Sequence, residues 1–142
     1  MEPPRHTILF VDDEKNILNS LKRLLRKEDY RILNALSGEE GLKILAENEV
    51  HLVITDLRMP KMNGIEFLTR LKVDYPDLIR IILTGYTDVD TLIESINKGH
   101  VYKFFLKPWN DDDLKIEIRK ALERYDLIAA NKRLCEKAIK QN

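Results

Sequence analysis

The chain has 142 residues, 44% apolar and 34% charged, with 24 Lys plus Arg balanced by 24 Asp plus Glu. That profile fits one soluble globular domain and argues against a two-domain enzyme, and it provides no net field to gather the chain onto nucleic acid or an anionic membrane. The longest apolar runs, residues 8–11 and 127–130, fall far short of the roughly 20 residues a membrane span needs; the first six residues hold no apolar signal core and Cys135 has no partner for an internal disulfide, so a reducing cytoplasm is expected.

Five short apolar runs punctuate the chain, each followed by residues at helical spacing. Residues 7–11 come first, and Ile17, Leu21, Leu24 and Leu25 then form one stripe. After residues 31–35, Ser37 and Glu40 have the spacing of a capping box ahead of Leu42 and Leu45. Residues 52–55 precede Ile65, Leu68 and Leu71, and residues 80–83 precede Leu92, Ile93 and Ile96. The fifth run, 102–106, leads to Asn110 and then Asp111, Asp112 and Asp113, a cap and three negative charges where a helix dipole favours them, so a helix should begin near residue 111.

Most of these runs are too apolar to have one face in water, as expected of buried parallel strands. Right-handed crossovers with helices on both faces then give an α/β fold: a flavodoxin-like three-layer α/β/α sandwich around a five-stranded parallel sheet, order 2-1-3-4-5. The last helix has no Pro or Gly from Asp111 to about Lys140, and roughly 30 residues make about 45 Å, longer than such a sheet covers. Leu114, Ile118, Ala121, Tyr125, Ile128, Lys132, Cys135 and Ile139 alternate spacings of four and three, a seam suited to a helical partner. Packing of the first turns on the sheet with a solvated tail, or a connector into a further domain, are the alternatives. The expected division is residues 1–126 as the domain and 127–142 as a helical extension.

In an open parallel sheet the ligand crevice lies beyond the carboxyl ends of the strands. There the runs end in Asp12 and Asp13, in Asp56, in Thr84 and Gly85, and in Lys107 and Pro108. Three crowded carboxylates repel one another, and a hard divalent cation relieves that repulsion. Oxygen ligands with no cysteine or spaced histidine favour Mg²⁺ over Zn²⁺.

The string Asp56-Leu57-Arg58-Met59-Pro60-Lys61-Met62-Asn63-Gly64, together with Asp12-Asp13, Thr84-Gly85 and Lys107-Pro108 in this order, resembles the receiver domains of bacterial two-component response regulators over roughly residues 6 to 126. The resemblance implies that Asp56 is the phosphoacceptor, taking a phosphoryl group from a phosphohistidine on a sensor histidine kinase or phosphotransfer protein. It implies Mg²⁺ held by Asp13, Asp56 and the Arg58 backbone carbonyl, with Asp12 acting through water. Lys107 and Thr84 would bind phosphoryl oxygens, and Gly85 would leave room for the donor. The Lys107-Pro108 bond is expected to be cis.

A receiver of this kind promotes its own phosphorylation and dephosphorylation and is not an enzyme turning over an external substrate. The resemblance also names a switch: Thr84 moves toward the phosphoryl group and Phe104 swings into the vacated space. Output is then expected from the fourth helix, fifth strand and fifth helix, with a homodimer through the fourth and fifth helices as the leading form and no direct contact with nucleic acid or membrane. Residues 104–114 resemble receivers joined to cyclic-di-GMP phosphodiesterase domains. Arg58 and Tyr86, two residues beyond Asp56 and Thr84, stand where they would shield or admit hydrolytic water.

Rival readings fare worse. A dehalogenase-like phosphatase wants a second Asp where Arg58 stands, and a flavodoxin-like cofactor module would set a phosphate against Asp12 and Asp13. A degenerate, purely interacting receiver would lack one of the five site residues. A DNA-binding regulator is expected only if this chain is cut from something longer, because about 16 residues beyond 126 cannot hold a helix-turn-helix. His6, His51 and His100 lack ligand spacing and read as surface or packing residues, while Trp109 and Tyr102 read as covers for apolar surface.

Overall fold

The computed structural model describes residues 6–85 and 89–141. The elements run β1 (His6–Val11), α1 (Lys15–Leu24), β2 (Tyr30–Ala35), α2 (Gly38–Glu47), β3 (Leu52–Thr55), α3 (Gly64–Asp74), β4 (Ile79–Thr84), α4 (Val89–Asn97), β5 (Lys103–Leu106) and α5 (Asp111–Gln141). The strands pair in parallel in the order β2-β1-β3-β4-β5, the doubly wound arrangement the alternation predicts.

Alternate strand residues point to opposite faces, and this divides the core in two. Ile8, Phe10, Leu52, Ile54, Ile81 and Leu83 pack with Leu18, Leu21 and Leu25 and with Leu114, Ile118, Ala121 and Leu122 of α5. Their neighbours Leu9, Val11, Ala35 and Val53 pack on the other side with Leu45, Phe67 and Leu71, and Ile82 packs with Leu57, Leu68, Leu92 and Val101. Each fully buried large apolar side chain stabilises the fold by roughly 1.5–3 kcal/mol. The central strands are therefore fixed in register, because a slip of one residue would exchange the two faces.

The edges depart from the expectation of strands buried on both faces. On β5, Phe104 is 37% and Leu106 44% exposed, and β2 is only partly covered, since these are the edge strands and each has a single neighbour in the sheet. The stripe expected on α4 is also displaced: Leu92 and Ser95 are buried, whereas Ile93 and Ile96 are exposed.

Helix ends follow local chemistry. Ser37 Oγ accepts from the Glu40 amide at 3.1 Å, but Glu40 Oε2 accepts from the Leu36 amide, one residue before the cap, so the box is skewed by one position. Asn110 accepts from the Asp113 amide at 3.0 Å to start α5. Asn63 likewise accepts from the Glu66 amide at 2.9 Å, a cap at a capping-box spacing that the sequence reading passed over. Arg80, at the start of β4, donates to the carbonyls of Tyr75, Leu78, Gly99 and His100 and so fastens the α4–β5 turn to the sheet.

The proposed seam on α5 is mostly used within the chain. Leu114, Ile118 and Ala121 are fully buried, Tyr125 and Ile128 pack against the same core, and Lys132 pairs with Asp77 at 2.8 Å. Cys135 and Ile139 remain exposed. One continuous helix therefore passes through the expected division at residue 126. No helix among the described residues is long and apolar enough to cross a membrane.

Candidate functional site

The parallel register brings the ends of β1, β3, β4 and β5 to one rim. Asp12 follows β1 and is buried, while Asp13 beside it is exposed. Asp56 follows β3 and is buried, its amide donating to the Val11 carbonyl at 3.0 Å, which ties the two strand ends together. Carboxylate oxygens of Asp12, Asp13 and Asp56 lie within 4.8 Å of one another.

Backbone amides fix where these acids point. Asp12 Oδ1 accepts from the Glu14 amide at 2.9 Å, and Asp56 Oδ1 accepts from the Leu57 amide at 2.7 Å. With one oxygen held, each carboxylate presents its other oxygen to Lys107, whose Nζ donates to Asp12 Oδ2 at 2.7 Å and to Asp56 Oδ2 at 3.1 Å. Lys107 is positioned in turn by its own amide, which donates to the Thr84 carbonyl at 2.9 Å, and the peptide bond that follows it, to Pro108, is cis.

The electrostatics follow from burial. Desolvation raises the Asp12 carboxyl above its ordinary value despite the opposing bonds from Lys107 and Glu14. Burial works against the charge of Lys107, yet the two carboxylates outweigh it and hold the ammonium above its ordinary value. One ammonium thus offsets part of a site with three acids. The remaining negative charge, on oxygen donors alone, suits a hard divalent cation.

The acids open into a cleft of about 360 Å³ lined by Asp13, Asp56, Arg58, Thr84, Gly85 and Lys107. Glu14 also lines it and was not singled out in the sequence, although it extends the acidic pair by one residue. Gly85 is exposed on the rim, where an added Cβ would stand no closer than 3.8 Å to Lys107. Thr84 is buried, and Phe104 stands on the same sheet face, registered opposite Ile82 at the outer edge. Tyr86 lies outside the described residues.

Other residues singled out in the sequence lie elsewhere. Trp109 packs against the α1–α5 core, and its indole donates to Asp111 at 2.9 Å. Tyr102 is 37% exposed and carries the Arg124 guanidinium 5.1 Å above its ring. His6 and His51, which sequence spacing treats as unrelated, meet at 5.4 Å between ring centres, because β1 and the segment before β3 are neighbours in the sheet.

Residues 8–119 match the family model of the response regulator receiver domain. The hydrogenase transcriptional regulatory protein HoxA of Cupriavidus necator is 35% identical over 127 residues, covering 89% of this chain and 26% of HoxA; the chain thus spans about a quarter of that relative. Sporulation initiation phosphotransferase F of Bacillus subtilis is 35% identical over 115 residues, 81% of this chain and 92% of that one. Among solved structures, the response regulator protein TrrA of Thermotoga maritima, in complex with Mg²⁺-BeF, superposes with a TM-score of 0.74 at 35% identity over 82% of this chain and 99% of TrrA.

Proposed function

Because this chain belongs to the response regulator receiver domains, we propose that Asp56 is the residue that accepts the phosphoryl group. The observation that carries this reading is the disposition of its two oxygens: Oδ1 is held by the Leu57 amide, and Oδ2 faces Lys107 in the open cleft. Oδ2 attacks the phosphorus of a phosphohistidine on a sensor kinase or phosphotransfer protein. The new P–O bond forms as the P–N bond breaks, and the departing imidazole keeps the electron pair and takes up a proton.

Phosphoryl transfer asks the protein mainly to position groups and to offset charge on the equatorial oxygens. Lys107 moves from the acids to one of these oxygens, and the Thr84 hydroxyl donates to another. Asp12, Asp13, Asp56 and the Arg58 backbone carbonyl would hold Mg²⁺, which lets an anionic carboxylate approach an anionic phosphoryl group. The acid cluster and the Mg²⁺-BeF complex of TrrA support that assignment. Water reaching the same cleft reverses the modification, so the chain acts on its own phosphoryl group and has no external substrate to turn over.

The signal leaves by the face formed by α4, β5 and α5. Thr84 is drawn toward the phosphoryl oxygen, and Phe104, exposed at the edge, turns inward to fill the space and bury its ring. Ile93, Ile96, Phe104 and Leu106 supply an apolar patch there, suited to a homodimer or to an output partner. Residues 127–141 extend α5 from this face toward whatever output the whole protein carries.

Incubation with Mg²⁺ and acetyl phosphate, followed by intact mass, tests the reading. The parent is expected to gain one phosphoryl group only when Mg²⁺ is present, and Asp56→Asn to gain none. Equal gain by both would remove Asp56 from its role.

A further inference from the structure

At the end of the sheet opposite Asp56, two histidines join β1 and β3 to the middle of α5. His6 Nε2 lies 3.0 and 3.1 Å from the carboxylate oxygens of Asp126. The His51 ring stands edge-on to His6, at 5.4 Å, and to Tyr125, at 4.8 Å between ring centres. The Thr7 amide donates to His51 Nδ1 at 2.9 Å, and the His51 amide donates back to the Thr7 carbonyl at 3.0 Å. A ring nitrogen that accepts a hydrogen bond carries no proton, so this geometry requires the neutral imidazole with its hydrogen on Nε2.

These contacts come where α5 leaves the sheet. Its buried face ends at Leu122. Tyr125 and Ile128 pack at the margin of the core, and past them the helix is fastened by the exposed Lys132–Asp77 pair at 2.8 Å, a kind of contact worth little by itself.

We propose that His51 is an acid-sensitive latch: neutral, it holds the second half of α5 against the sheet, and protonated, it lets that half go. A second proton would have to sit on Nδ1, where it meets the Thr7 N–H donor to donor, so the ring must turn out of its place between His6 and Tyr125. The charged and titratable neighbours among the described residues bear on this step. His6 comes from β1, Glu49 from the segment leading to β3, and Tyr125 and Asp126 from α5, with Asp77 and Lys132 flanking Tyr125. Glu49 is largely in solvent, its carboxylate 3.6 Å from His51 Nε2, and Asp126 is already engaged by His6. Burial, the largest cause, joined by the smaller effect of His6, therefore prevails over Glu49 and Asp126 and keeps the His51 pKa below its ordinary value.

Release would be local, since Leu114, Ile118, Ala121 and Leu122 keep the first half of α5 on the sheet. The freed half carries Leu127 and Leu134, 67% and 64% exposed even when docked, so the latch would set the direction of the helix toward any partner or following domain. It stands on contacts remote from Asp56 and survives if Asp56 proves not to be modified.

Hydrogen exchange between pH 8 and 5, corrected for intrinsic rates, tests it. In the parent, protection of amides 125–135 should fall below pH 6.5 by up to about tenfold per pH unit, while β1 and β3 stay protected. His51→Asn, whose side-chain oxygen can accept from Thr7 at any of these pH values, should hold that protection flat. Constant protection in the parent, or an equal fall in His51→Asn, overturns the latch. Should the variant fail to fold, the parent's ¹⁵N-labelled His51 ring decides: α5 opening must track its titration, and opening while the ring is still neutral overturns the proposal.

Discussion

Lys107 donates to Asp12 Oδ2 at 2.7 Å, a shorter bond than the 3.1 Å one it makes to Asp56. Its ammonium therefore rests chiefly on Asp12 and less on Asp56, the proposed acceptor, and it competes there with any cation the acids would hold. Lys107→Ala should bind Mg²⁺ about three- to tenfold more tightly by calorimetric titration, because a positive charge a few ångströms away has gone. The same variant should gain its phosphoryl group at least about a hundredfold more slowly, since a charge-assisted donor to the transferring group is lost. Weaker Mg²⁺ binding, with transfer unchanged, would show that Lys107 neither competes with the metal nor serves the phosphoryl group.

Gly64 is packed against the backbone of Asp56 and Leu57. An added Cβ would collide with the Asp56 carbonyl oxygen and stand 2.6 Å from the Leu57 Cα, while the Gly64 amide donates to the Leu57 carbonyl at 2.8 Å. Backbone cannot yield as a flexible side chain does, so Gly64→Ala should lose roughly 1–3 kcal/mol of stability in urea denaturation and displace the Leu57 amide that holds Asp56 Oδ1. Phosphorylation measured on the folded fraction should fall with it; a variant of parental stability and activity would contradict this packing.

The sheet order, the central strands and the gathering of Asp12, Asp13, Asp56, Thr84 and Lys107 at one rim were legible because each rests on a local signal. Apolar runs report buried strands, and the acids, Thr84 and Lys107 stand directly after them, where a parallel sheet brings strand ends together. What was missed depends on neighbours. Ile93, Ile96, Phe104 and Leu106 have core-like spacing but are between 36% and 49% exposed, on α4 and on the edge strand β5. His6 and His51 are 45 positions apart and meet only through strand pairing. The α5 seam has a sound period, but period alone does not say whether the body or a partner fills it, and here the body takes it as far as Lys132.

Lys61 adopts φ 66°, in the loop between Asp56 and α3. This left-handed conformation costs a side-chain-bearing residue roughly 1–2 kcal/mol, part of which glycine returns through its freedom in the unfolded chain. Lys61→Gly should therefore raise the urea midpoint by about 0.5–1 kcal/mol of stability with an unchanged slope. A lower midpoint would mean that the lysine side chain contributes more than the backbone strain costs.

The low pKa of His51, caused first by burial, also predicts the acid limb of global stability. Below about pH 6.5 the unfolded histidine takes up a proton that the folded one resists, so the unfolded state binds more protons and stability falls as pH drops toward the folded pKa. The contribution is complete above about pH 6.5. Urea midpoints of parent and His51→Asn should diverge least at pH 5 and most at pH 7.5, where the parent keeps its full advantage. Parallel curves across that range would show that His51 takes up its proton equally in both states.

The central claim is that one carboxylate, that of Asp56, carries the phosphoryl group. Borohydride reduces an acyl phosphate to an alcohol, so treating the phosphorylated protein and sequencing its peptides by mass spectrometry converts the acceptor aspartate into homoserine at a defined position. The account predicts homoserine at position 56 and unmodified aspartate at positions 12 and 13. Homoserine at position 12 or 13, or a phosphorylated protein with aspartate intact at position 56, would contradict it.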